Sequence, residues 1–179
     1  LSRNLKGRTS MDYSTTTYEF LAVNLSDPIL SDVEVRRALM YAIDRSTLAE
    51  NSYLGMVQQT EVPISPGSWL YETQSAAFNY SPERALAVGS EWTMETMQRA
   101  VRGRRFQLAL IGVNLSQTPD LRPLLATRTE SNSDTSLNFS GYASPAMDSY
   151  LNDVMSATDE ITFGTAVANV QMQVIDDLP

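Results

Sequence analysis

The hydrophobic positions between Asn24 and Arg45 repeat with the period of an α-helix. The apolar side chains fall at i, i+3, i+4, i+7 and i+8, namely Val35, Ala38, Leu39, Ala42 and Ile43. Ser31 and Glu34 have the spacing of a capping box, in which each side chain accepts a hydrogen bond from the backbone amide of the other residue. The pattern therefore predicts a capped amphipathic helix whose apolar stripe faces the core.

The polar positions of the same stretch complete this prediction. Arg36 and Arg37 lie off the apolar stripe, so both side chains are expected to face solvent. Asp44 also lies off the stripe and is predicted to cap a second helix, which runs through Leu48 to Leu54 and ends at Gly55.

Alternating and helical patterns elsewhere predict further elements. Two strands are predicted at Thr15–Val23, covered on both faces toward its end, and at Phe106–Val113. A proline-containing loop is expected over Met56–Trp69, and a solvated polar loop over Ser131–Ser136. Helices are predicted behind Ser81, around Met94 to Val101, at Leu121 to Leu125, behind Ser144, and behind Asp159 as far as Asp176-Asp177; the first two are short.

Composition and charge bound the class of protein. A chain of 179 residues is one domain, or one lobe of something larger, and can bury a core. Its net charge is −8 and Lys6 is its single lysine, which argues against a nucleic-acid partner. No apolar run approaches the roughly 20 residues of a membrane span. No signal peptide begins at Leu1, so the chain is expected to be cytoplasmic, mature or excised.

The absence of cysteine and histidine excludes most catalytic chemistry. Without cysteine there is no disulfide or thiolate zinc site, and without histidine there is no Ser-His-Asp triad or imidazole metal site. The adjacent carboxylates of Asp176 and Asp177 are expected to belong to the frayed, solvated end of the last helix. We therefore predict a protein that is not an enzyme and has no cofactor or metal.

The order of strand, proline turn and helix resembles the beginning of the second lobe in family 5 extracellular solute-binding proteins, the peptide and nickel receptors of ABC importers. The matching residues are Phe20 to Asn24, Pro28, Asp32-Val33, Val35-Arg36, Ala38-Leu39 and Ala42 to Arg45. An ordinary capped helix explains the periodicity equally well, but it does not explain why these residue types follow one another in this strand-turn-helix order. Further matches lie at Val62-Pro63, Pro66, Trp69, Tyr71, Asn79 to Ala85, and Asn138 to Asp148.

The resemblance implies the architecture. The expected fold is α/β, a mixed sheet flanked by helices, and forms one lobe of a two-lobed periplasmic-binding-protein-like fold (type II, cluster C). Residues 1–179 are then a single lobe, the second. Family members carry some tens of additional residues where this chain has its 89–91 junction. A natural deletion, an excision joined through Gly89-Ser90, or an omitted segment would explain the difference, and the last two are favoured because Gly-Ser is a common joining sequence.

The resemblance also implies a function. The lobe is expected to capture an oligopeptide or a similar small polar solute and, with the first lobe of the same receptor, to deliver it to an ABC permease. The receptor is expected to be a bacterial monomer, extracellular or periplasmic and anchored as a lipoprotein. The alternative is a stand-alone interaction or scaffold module that has kept the lobe without a transport ligand.

Site residues follow from the strand that begins at Phe106. In peptide-binding relatives a G-W-x-x-D run follows this strand, and its aspartate pairs with the amino terminus of the peptide. Here Gly112 matches, whereas a valine and a serine replace the tryptophan and the aspartate, which puts recognition of an amino terminus in doubt. The implied ligand-binding residues are Trp92, Val113, Asn114, Leu115, Ser116 and Asp120.

Three aromatic residues of these motifs have less certain roles. Trp92 fits the E-W motif whose indole lines the cleft in peptide binders, although a core or rim aromatic is equally consistent. Trp69 and Tyr71 are expected to pack the proline-containing loop rather than to touch a ligand.

Overall fold

The computed structural model describes residues 15–72, 78–81, 108–115 and 120–179. Their elements, in chain order, are β1 (Thr17–Val23), α1 (Val33–Ala42), α2 (Arg45–Tyr53), β2 (Leu108–Asn114), α3 (Arg122–Leu125), a 3-10 turn (Glu130–Asn132), α4 (Pro145–Ser156) and α5 (Glu160–Asp177). The helices predicted behind Ser81 and around Met94 to Val101 lie outside the described residues. Across the described ranges, no helix has both the length and the apolar character needed to cross a membrane.

Strands β1 and β2 pair antiparallel, with Thr17 opposite Asn114 and Val23 opposite Leu108. Ala22 and Val23 are both buried although neighbouring strand residues point to opposite faces, so the end of β1 is covered on both sides as predicted. Both predicted strands are thus confirmed within a residue or two. Together with the helices they give the expected α/β class.

The main core lies where α4 and α5 meet the loop over residues 56–72. The loop has no regular structure, as predicted, yet it supplies core side chains rather than only covering them. The buried residues of this cluster are Val62, Ile64, Leu70, Leu121, Leu124, Leu125, Tyr142, Met147, Leu151, Val167, Val170 and Val174. The loop is therefore an integral part of the fold.

The cap of α1 is Asp32, and the prediction of Ser31 was wrong by one residue. The Asp32 carboxylate accepts a hydrogen bond from the Glu34 amide at 2.9 Å, whereas the Ser31 hydroxyl donates to the Pro28 carbonyl. The reason is the preceding turn, in which the Ser31 amide donates to the carbonyl of Asp27. This turn occupies Ser31, so the helix begins two residues later.

Arg36 is buried, which contradicts its predicted place in solvent. Its side chain is 7% exposed and donates five hydrogen bonds, all to backbone carbonyls. The acceptors are the carbonyl oxygens of Leu30, Ser31, Asp177 and Leu178, at 2.5 to 3.2 Å. The last carbonyls of a helix have no hydrogen-bond donor within that helix. The Arg36 side chain, which belongs to α1, supplies donors to the last carbonyls of α5. Burial lowers the pKa of its guanidinium, although Asp177 opposes that shift.

The apolar stripe of α1, which runs beside Arg36, is less buried than its pattern predicts. Leu39 is half-buried, and Arg36 is the only residue of α1 that is fully buried. Arg37 is also half-buried and pairs with Glu34 at 2.5 Å. The apolar period located the helix correctly, but the residue that fixes it to the rest of the fold is polar.

The carboxyl end of α5 is held in place, so the prediction of a frayed end was also wrong. The Asp177 carboxylate accepts hydrogen bonds from the Tyr142 hydroxyl at 2.5 Å and from the side-chain amide of Gln173 at 2.7 Å. Leu178 then ends the helix in the left-handed conformation, with φ 44°. Burial, together with the Asp177 carboxylate, raises the pKa of Tyr142. The Arg36 side chain, which donates to the carbonyls of Asp177 and Leu178, and the Arg37 side chain, which donates to the carbonyl of Asp176, fasten this end of the helix to α1.

Three further predicted caps are confirmed, whereas the helix predicted behind the Ser81 cap lies outside the described residues. Asp44, Ser144 and Asp159 each accept a hydrogen bond from the amide three residues ahead, at the start of α2, α4 and α5. The polar stretch over 131–136 contains the end of the 3-10 turn, in which Thr129 and Asn132 cap each other. These signals were readable because each involves residues only three apart.

Candidate functional site at the end of the second strand

The carboxyl end of β2 is fastened to the start of β1. The Thr17 hydroxyl donates to the side-chain oxygen of Asn114 at 2.8 Å, and the Leu115 amide donates to the Thr16 carbonyl at 3.0 Å. Pairing therefore continues one residue beyond β2. The backbone that follows Gly112 is held against its neighbour up to Leu115.

Side chains alternate along this segment. Val113 and Leu115 are half-buried and pack against the main core, whereas Asn114 is exposed. Because its oxygen binds Thr17, the Asn114 side chain keeps an NH2 group that has no partner among the described residues. Of the described residues at the end of β2, Asn114 is thus the one best placed to bind a polar ligand group.

Asp120, the nearest carboxylate along the chain, is engaged by Arg122. The Arg122 guanidinium donates to both carboxylate oxygens, at 2.9 and 2.7 Å, and the Arg122 amide donates at 3.1 Å. These hydrogen bonds hold the pKa of Asp120 below its usual value. A ligand ammonium group would have to compete with Arg122 for this carboxylate.

Two predicted site residues, Trp92 and Ser116, lie outside the described residues. The structure thus places Val113, Asn114 and Leu115 together at the end of β2. Asp120 follows a few residues later in the chain, and no contact with Trp92 or Ser116 is described. Tyr71 is half-buried and packs against the main core, as expected. Within the described part of the chain, no three carboxylates lie close enough together to hold a metal ion.

A second surface was not anticipated from the sequence. An open groove of about 510 Å³ lies beside the first half of α5, and Trp69 forms one of its walls. Trp69 is 65% exposed and contacts Phe163, with ring centroids 6.5 Å apart. It therefore packs only partly, and much of its indole remains open to solvent.

Comparison with known proteins decides the family. The family model described as bacterial extracellular solute-binding proteins, family 5 Middle, matches residues 2–94, just over half of the chain. The chain belongs to this family. Family 5 consists of solute-binding transport proteins, in agreement with the sequence prediction of a solute-binding protein.

Two curated proteins resemble parts of this family 5 chain. The dipeptide-binding protein of Escherichia coli (strain K12) is 32% identical over 76 residues, which are 42% of this chain and 14% of that protein. Heme-binding protein A of Haemophilus influenzae is 32% identical over 72 residues, 40% of this chain and 13% of that protein. The chain matches only a small fraction of either relative.

Solved structures share the fold over most of the chain. The oligopeptide-binding protein AppA from Bacillus subtilis, solved with a nonapeptide, superposes with a TM-score of 0.78 at 16% identity. The superposition covers 92% of this chain and 44% of that protein. The fold is therefore that of a solute-binding protein, and the coverage is consistent with one lobe.

Proposed function

We propose that residues 1–179 form the second lobe of an ABC-importer receptor, which captures an oligopeptide or a similar small polar solute together with a first lobe. The family match carries this proposal. It is supported by the 44% coverage of a peptide-binding structure. A complete receptor would close both lobes over its ligand and pass it to a permease. Location outside the cytoplasm, with a lipoprotein anchor and a monomeric state, belongs to the same proposal.

The ligand site of this lobe is proposed at the end of β2, formed by residues 113–116, Asp120 and Trp92. The exposed Asn114 supports this placement because its NH2 group can donate to a peptide carbonyl or another polar acceptor. The junction at 89–91 is proposed to lack a segment that relatives carry on this lobe.

The site is proposed not to be built around a free peptide amino terminus. A hydrogen bond between a ligand ammonium group and a carboxylate contributes about 1.5–3 kcal/mol. The serine at position 116 offers only a neutral acceptor. The nearest described carboxylate, on Asp120, is held by Arg122. Recognition then depends on neutral donors and acceptors along the peptide backbone.

Calorimetry on the two-lobed receptor tests this, using a bound tetrapeptide and its N-acetylated form. We expect equal affinity for the two. The same pair is titrated into Asp120→Asn and, as a matched loss of charge at an exposed site, Asp134→Asn. A loss of about tenfold or more on acetylation, or about 1.4 kcal/mol, that Asp120→Asn alone abolishes would show that Asp120 binds the amino terminus.

A further inference from the structure

One face of the sheet formed by β1 and β2 is open to solvent beside the proposed ligand site. Side chains alternate along a strand, and Phe20 and Val113 pack on one face against the main core. Glu19 and Asn114 lie on the other face, and both are exposed. A polar solute can therefore reach both side chains from the same side of the sheet.

The Glu19 side chain lies across β2, next to Asn114. Glu19 is opposite Gly112 in the register, and a Cβ added to Gly112 would lie 3.5 Å from the Cγ of Glu19. Asn114 follows two residues later on the same face, and residues related in this way lie about 7–8 Å apart. Because Gly112 has no side chain, no side chain of β2 separates the Glu19 carboxylate from Asn114.

The Glu19 carboxylate is held in place by α2. Tyr53, the last residue of α2, donates a hydrogen bond from its hydroxyl to one of the two carboxylate oxygens. This hydrogen bond raises the pKa of Tyr53, so the hydroxyl remains a donor at neutral pH. A carboxylate that is already oriented loses less side-chain freedom when it binds a ligand.

Glu19 and Asn114 offer complementary groups to a peptide. The NH2 group of Asn114 can donate to a peptide carbonyl, and the Glu19 carboxylate is an acceptor for an ammonium or guanidinium group. Lysine and arginine carry these cations on long side chains. A basic residue whose backbone is bound at Asn114 can thus extend its cation to Glu19.

We propose that Glu19 is a specificity-determining residue of the ligand site and that the captured peptide has a lysine or arginine side chain at this position. The cation pairs with the Glu19 carboxylate while a peptide carbonyl accepts from Asn114. Tyr53 is a positioning residue that acts through Glu19. This inference rests on the proposed function, because it assumes that a peptide binds at the end of β2.

Calorimetry on the two-lobed receptor tests the role of Glu19 with acetyl-Ala-Lys-Ala-Ala-amide and acetyl-Ala-Met-Ala-Ala-amide, since methionine is a long side chain without charge. We expect the lysine peptide to bind about tenfold more tightly. Glu19→Gln should abolish this preference, although glutamine can still accept from Tyr53. Tyr53→Phe should reduce it to about threefold, because the carboxylate keeps its charge but loses the donor that orients it. Glu130→Gln, which removes a charge from the exposed 3-10 turn, should leave the preference unchanged.

The outcomes separate this inference from the proposed function. Equal affinity for the two peptides, or a lysine preference that survives Glu19→Gln, would overturn the role of Glu19 and leave the proposed function standing. An equal loss in Glu19→Gln and Glu130→Gln would show non-specific attraction and overturn it as well. A gain in affinity for Ala-Met-Ala-Ala-amide with a free amino terminus, abolished by Glu19→Gln, would assign the carboxylate to the terminus instead. Binding of neither peptide would contradict peptide capture itself, and this inference with it.

Discussion

Arg36→Met is expected to lower the free energy of unfolding by about 3–5 kcal/mol. The substitution keeps an apolar stem of similar length but removes the donors that satisfy four carbonyls, at residues 30, 31, 177 and 178. An unsatisfied buried acceptor costs about 1–3 kcal/mol, and water entering the site recovers part of that sum. The loss should also free the last turn of α5, which Arg36 connects to α1.

Urea denaturation measures the global effect, and amide hydrogen exchange measures it at residues 175–178. Arg37→Met is the comparison, because Arg37 is its neighbour in α1 but is more exposed, with one ion pair to Glu34 and a single 3.2 Å hydrogen bond to the Asp176 carbonyl. We expect Arg37→Met to cost less than about 1 kcal/mol. If Arg36→Met and Arg37→Met had the same midpoint and the same exchange near residue 177, Arg36 would not be the link between the two helices.

Met147→Ala is expected to cost about 2–5 kcal/mol. Met147 is 0% exposed and lies in the first turn of α4, within the main core cluster. Truncation removes buried apolar surface and leaves a cavity that its neighbours can fill only in part. Denaturation by urea or heat measures the change.

Met155→Ala controls for the chemistry of the substitution, since Met155 lies on the same helix but is 52% exposed. It should change stability by less than about 0.5 kcal/mol. Leu39→Ala, in the half-buried stripe of α1, should fall between the two. A Met147→Ala variant as stable as Met155→Ala would show that the space around Met147 is not closely packed.

The sequence predicted features that depend on near neighbours. The caps at Asp44, Ser144 and Asp159, and the positions of β1 and β2, follow from spacing along a few residues. The family resemblance also came from contiguous letters, and the family match confirms it. Such signals can be read from the sequence because the local preferences of natural sequences agree with the global fold.

Features that depend on distant residues were missed. Arg36 is buried because its partners include carbonyls 141 and 142 residues further along the chain, and no local pattern could reveal them. Asp177 was assigned to solvent for the same reason, since its partner Tyr142 belongs to another segment. Helical periodicity treats a charged residue as solvent-facing, which fails when the residue caps another helix.

Some features of the candidate site were also predicted from the sequence, whereas others were missed. The period and the glycine at 112 located the end of β2, and the structure places Asn114 there with an exposed side chain. The capture of Asp120 by Arg122 was missed although the two residues are only two apart, because it requires the turn that brings their side chains together. The exposure of Trp69 was also missed. Neither could be read from composition or spacing.

In the proposed receptor, this chain is the lobe whose β2 end contacts the transported solute. A crystal structure of the two-lobed receptor with a bound peptide tests it most directly. We expect the peptide to lie between the lobes, with a peptide oxygen within about 3.2 Å of the Asn114 side-chain nitrogen. A peptide bound between the lobes without contacting residues 113–116, or bound wholly outside this lobe, would contradict it.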